Sequence, residues 1–104
     1  MSDAKLPEDC ETMLDVRAGV DATDRELMAL LDRRFGYMRA AARIKQSRDT
    51  VRDEARKSHV IDAATADAAA RGMPSDQIEV IWNQLVEASI AYELVEWDRL
   101  RSKT

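Results

Sequence analysis

Between about Thr12 and Ser47 one stretch of this chain reads as a single very long helix, and nothing else in the sequence restricts the fold as much. Stepping from Arg17 by alternate threes and fours gives Arg17, Val20, Asp24, Leu27, Leu31, Arg34, Met38, Ala41 and Lys45. That is a heptad stripe held for about four repeats. Its middle is apolar, as a buried seam should be, yet three long cations sit on the same line. Cations on a seam are costly unless something neutralises them. Arg34 has Leu30, Leu31, Tyr37 and Met38 at its helical neighbour positions, so no carboxylate of its own helix is placed to pair it. Asp21 and Asp49 do lie four residues on from Arg17 and Lys45. One such cation can snorkel to water. Three on one stripe point to an anion site.

Length adds a second constraint. At about 1.5 Å per residue such a helix spans roughly 50 Å, whereas a compact domain of about 100 residues has a radius of gyration near 13 Å. The helix is therefore expected to project from its own globule and to need a partner over its seam. Arg17 and Arg34 are also about 25 Å apart along the axis, too far to hold one small molecule between them. If they share a ligand, Arg17 comes from a second chain. The expected fold is all-α, three helices with one very long, forming an intertwined homodimer.

The rest of the composition agrees. The chain has 104 residues with three Gly and two Pro, which favours helix and allows one domain with a marginal core. A single cysteine, Cys10, leaves no internal disulfide and no multi-cysteine metal site, and fits a reducing cytoplasm. No apolar run approaches about 18 residues and no basic-then-apolar leader opens the chain, so neither membrane span nor signal peptide is expected. The formal net charge of −4 argues against nucleic acid as the main partner. A negative chain with cations on its seam suits a small anionic ligand.

In chain order, residues 1–11 read as a flexible lead-in, with Leu6 able to pack on the fold, and residues 12–104 as the helical domain. Gln46 to Val51 is a polar loop, mobile until a ligand orders it. A second helix is expected over about Arg52–Arg71, with Ala55, Val60, Ala64 and Ala68 as a weak apolar face. Gly72 is its left-handed stop, followed by Pro74. Ser75 reads as the N-cap of a third helix reaching about Leu100. Its seam is Ile78, Ile81, Leu85, Ala88, Tyr92 and Val95, and beside it runs a line of Trp82, Val86, Ser89 and Glu93. Glu93 and Ser89 thus lie one turn apart at the edge of the core. His59 reads as solvated surface and Cys10 as incidental. No Gly-rich phosphate loop, HExxH or CxxC occurs, so metal and cofactor readings have no motif behind them.

Arg34 follows Arg17 by 17 residues and Lys45 follows Arg34 by 11. With that spacing on one long helix, the chain resembles the all-helical chorismate mutases and, equally, the related isochorismate-pyruvate lyases, over roughly residues 7 to 100. Pro7-Glu8-Asp9-Cys10 and the run from Arg33 to Lys45 look most like the lyase branch. Asp53, Arg56 and Ser89 match positions typical of the mutase branch, given one deletion in the 46–51 loop. Lys57 stands where many mutases carry a glutamate for the ring hydroxyl, and Glu93 where bacterial members usually have glutamine.

The resemblance implies an intertwined dimer whose two sites are each completed by an arginine of the other chain. Its substrate is a dicarboxylate, chorismate or isochorismate. Arg17 of the neighbouring chain, Arg34 and Arg56 would hold carboxylates, with Asp53 and Ser89 as secondary polar contacts. Lys45 would donate to the ether oxygen, and Glu93 would be a second donor only when protonated, since an ionised carboxylate only accepts. No metal or cofactor is implied. The favoured activity is rearrangement of chorismate to prephenate, the alternative is the lyase reaction, and a non-catalytic helical dimerisation module is the third reading. That module would leave Arg34 and Lys45 without counter-charges.

Overall fold

The computed structural model describes residues 4–102. The described residues are all-α: α1 runs Met13–Ile44, α2 Glu54–Ala70 and α3 Ser75–Arg101. Single 3₁₀ turns lie at Pro7–Asp9 and Arg48–Thr50. The chain falls into two compact units, one ending at Gly36 and the other beginning at Tyr37, so the division lies within α1.

The first unit starts from a reciprocal cap. Thr12 Oγ1 accepts the Asp15 N–H at 3.2 Å, and Asp15 Oδ2 accepts the N–H groups of Glu11 at 3.0 Å and Thr12 at 3.3 Å. A Thr-x-x-Asp pair of this kind satisfies donors that the first helical turn leaves open. Lys5 Nζ adds an ion pair to Asp15 at 3.1 Å. The Glu11 amide, then Lys5, hold the Asp15 carboxyl below its ordinary range. The part of the lead-in beyond Ala4 thus has a defined course, while residues 1–3 of the expected flexible segment lie outside the described residues. Leu6 does not pack as expected: it stays 61 % exposed.

The second unit is built on α2 against α3. Val51, Val86 and Ile90 are buried together, with Val60, Ile61, Leu94 and Trp97 packed on them. On α2, Val60 and Ala64 are half-buried and Ala68 buried, but Ala55 is exposed, so only part of the expected face is used. Asp53 Oδ1 caps the start of α2 by accepting the Arg56 N–H at 3.0 Å. Gly72 closes its end at φ 72°, with Met73 N–H on Ala68 O at 2.8 Å and Gly72 N–H on Ala69 O at 3.1 Å. This is the left-handed stop expected of that glycine.

Two expectations are corrected on α3. Ser75 is the first helical residue rather than the cap; Pro74, extended at φ −70° and ψ 102°, holds the cap position and its carbonyl accepts the Ile78 N–H at 3.1 Å. The stripe facing the core is also one residue over from the seam: Val86, Ser89, Ile90 and Glu93 are buried, whereas Ile81 and Val95 are 54 % and 64 % exposed. The alanine-rich α2 covers one side of α3 and leaves the neighbouring apolar stripe open. Among the described residues no large side chain is fully buried.

The 46–51 segment is an ordered turn. Val51 is buried, Thr50 Oγ1 donates to Ser47 O at 2.6 Å, and the Ser47 hydroxyl bonds Asp49. Arg48 grips Asp98 of α3 with two bonds of 2.8 and 3.2 Å.

Candidate active site

Lys45 is the residue after the last turn of α1, and its ammonium turns into the second unit. Nζ stands 2.9 Å from Glu93 Oε2 and donates to Val51 O at 3.4 Å. Glu93 is 4 % exposed, and Ser89, one turn before it, is 3 % exposed. The Lys45–Glu93 contact is short but lies off the hydrogen-bonding line, so Oε2 has a close cation and no hydrogen-bond partner. Distance makes it an ion pair; direction leaves Oε2 with unused accepting or proton-carrying capacity. The Ser89 hydroxyl donates to Leu85 O at 2.7 Å, back along its own helix.

This pair corrects one expectation. Lys45 does have a counter-charge, supplied by α3 rather than by Asp49, so a non-catalytic reading cannot be set aside on its account. A buried carboxylate tied to a lysine at a helix exit remains an expensive arrangement for packing alone.

The remaining residues singled out above fall as follows. Arg17 is exposed and Arg34 half-buried, both on α1 within the first unit. Asp53 is spent in part as the α2 cap through Oδ1, and Arg56 beside it is exposed. Lys57 turns to α3, where its Nζ meets Glu87 Oε2 at 2.6 Å. Arg52 grips the same carboxylate with bonds of 2.7 and 3.1 Å. His59 is exposed. Among the described residues no cluster of three His, Cys, Asp or Glu could hold a metal ion, and no helix is long and apolar enough to cross a membrane.

Glu87 is a hub that sequence reasoning missed, because its two cations lie 30 and 35 residues earlier. Arg52, then Lys57, hold its carboxyl down from its ordinary value of 4.5 to about 2. The folded chain therefore favours the ionised form, and this stabilisation is whole above about pH 4.5 and is lost as pH falls toward 2. Wild-type Tm is expected to fall over that window, and Glu87→Gln to fall less, as read by circular dichroism melts. Equal acid loss in both would show that the bridge adds nothing beyond a solvent-exposed contact.

An all-helical chain with a half-buried lysine paired to a buried carboxylate at the exit of its longest helix defines a class of small helical protein in which one helix end and α3 share a polar site. The chain belongs to the chorismate mutase type II family, whose model matches residues 16–94. It is 28 % identical over 97 residues to the isochorismate pyruvate lyase of Pseudomonas aeruginosa, an alignment covering 93 % of this chain and 96 % of that protein.

Proposed function

We propose that this chain is a chorismate mutase, converting chorismate to prephenate by holding the substrate folded and stabilising charge as its ether bond breaks. The observation that carries the reading is the Lys45–Glu93 pair, 2.9 Å apart with Glu93 buried, in a chain of this family. In the rearrangement the ether C–O bond breaks while the enolpyruvyl methylene bonds to the ring, within one molecule. No proton, electron pair or group leaves, so catalysis rests on conformation and electrostatics. Lys45 donates to the ether oxygen. Arg34, Arg56 and the neighbouring chain's Arg17 hold the two carboxylates, for which the guanidinium fork is suited. Asp53 keeps Oδ2 for a hydroxyl contact, and Ser89 lines the floor below Glu93.

The site is shared in a homodimer. Leu27, Leu30 and Val20 on α1 are each half or more exposed, as are Ile81 and Val95 on α3, which is more apolar surface than a lone chain of this size usually leaves to water. A second copy would cover it. The lone Cys10 fits a cytoplasmic setting.

A second reading has its own support: the lyase of Pseudomonas aeruginosa aligns over nearly the full length of both chains. There the same C–O bond breaks while a ring hydrogen moves to the methylene, releasing pyruvate and leaving salicylate. Incubation with chorismate and, separately, isochorismate, following substrate loss and pyruvate release, tests both. Consumption of chorismate without pyruvate is expected; pyruvate from isochorismate alone favours the lyase, and inertness toward both sinks the enzymatic reading.

Glu93 can add a donor to the ether oxygen only while it carries a proton. Glu93→Gln, whose amide donates without needing an added proton, is expected to raise kcat/KM by about tenfold or more. An unchanged or lower kcat/KM in Glu93→Gln removes Glu93 from that role.

A further inference from the structure

The end of α1 carries no glycine stop, yet its last carbonyls are not left to water. Arg101, at the end of α3, reaches back to them: one terminal nitrogen donates to Ala42 O at 2.9 Å, the other to Lys45 O at 2.7 Å and, at 3.5 Å, to Arg43 O. The guanidinium lies over the Trp97 ring, 4.1 Å from its centroid, which fixes the plane of the fork. Trp97 Nε1 itself donates to Lys45 O at 3.0 Å. On its other side the Lys45 N–H donates to Ala41 O at 2.9 Å. The backbone of Lys45 is therefore held at its N–H by the Ala41 carbonyl and at its C=O by two side chains one turn apart on α3. A cation at a helix C-terminus also opposes the partial negative charge there.

We propose that Trp97 and Arg101 are positioning residues that aim the Lys45 ammonium at the reacting ether oxygen, an inference that rests on the function proposed above. The grip sits where the chain leaves the helix, a place where backbone otherwise frays. The Lys45 side chain then runs on four carbons to Glu93 and Val51, so a small tilt of its peptide is magnified at Nζ. A misplacement of about 1 Å at a reacting contact can cost ~100-fold in rate. Packing alone does not need this arrangement: a lysine or leucine at 101 could cover Trp97, but only the planar fork reaches three carbonyls at once.

Trp97→Phe is the cleanest probe, since it keeps an aromatic ring beneath Arg101 and against the core while removing the donor to Lys45 O. Arg101→Lys keeps the charge but loses the fork, and Arg101→Leu loses both. Each variant is assayed for kcat and KM on the substrate that the wild type consumes. Each is also read by hydrogen exchange at the Lys45 amide, which reports the grip without turnover. Trp97→Phe is expected to lower kcat by about tenfold with KM within about twofold, and to speed Lys45 exchange by a similar factor. Arg101→Leu should lose more and Arg101→Lys less. Unchanged exchange in Trp97→Phe overturns the grip. Faster exchange with unchanged kcat, or with KM taking the whole effect, overturns the positioning role while leaving the proposed activity standing. A wild type inert toward both substrates sinks that activity and the positioning role with it.

Discussion

Lys45→Ala is expected to lower kcat/KM by about a thousandfold, since it deletes one preorganised donor to the breaking ether bond. It also leaves Glu93, 4 % exposed, without the cation that stands 2.9 Å from it. An unpaired buried carboxylate costs about 2 kcal/mol, less than a fully interior pair because the Lys45 side chain is 30 % exposed. The two effects separate in a double variant. Lys45→Ala with Glu93→Gln removes the buried charge, so thermal stability should return toward wild type while turnover stays low. If the double variant regains rate along with stability, Lys45 acts on the fold and not on the substrate. Lys45→Ala at wild-type turnover would remove the site.

Local periodicity and long-range pairing explain what the chain disclosed. The α1 stripe could be read because each of its residues is fixed by neighbours three and four positions away. Gly72 could be read for the same reason, as a stop depends on the preceding turn. Serine suits a cap position, but Pro74 before Ser75 already holds an extended backbone and offers the carbonyl that Ile78 needs. The periodic seam of α3 and its buried stripe lie one residue apart, and both lines carry apolar residues. Which one is covered depends on α2, whose small side chains let Val86 and Ile90 approach Val51. Glu93 stands out in the sequence as a polar residue beside a core, and only the family resemblance, which puts it with Lys45 at the ether oxygen, brings the two together; spacing alone offers Lys45 the nearer Asp49. The Glu87 hub and the Arg101 grip were invisible for the same reason. Only the four-residue spacing of Trp97 and Arg101 carried a hint, and that spacing alone fits a surface stack equally well.

Two inactive variants, mixed, are expected to regain about a quarter of wild-type activity if sites are shared between two chains in a symmetric dimer. Arg17→Ala removes the cation that a chain lends to its neighbour, and Lys45→Ala removes the one it keeps for its own site. Each homodimer then carries two damaged sites. Unfolding and refolding an equal mixture gives about half heterodimers, and in each of those one site receives Lys45 from one chain and Arg17 from the other. The second site of the heterodimer has neither, which sets the ceiling near a quarter. If Arg17 served the same chain as Lys45, every site in the mixture would remain damaged and no activity would return. Sedimentation of the mixture keeps the two causes apart: dimers without regained turnover exclude the lent arginine, and monomers exclude the shared site altogether. The exposed stripes of α1 and α3 favour dimers, since Leu27 and Ile81 would otherwise stay half in water. Reach favours the lent arginine, because Arg17 and Arg34 of one chain lie about 25 Å apart along a helix, too far to hold one small molecule between them.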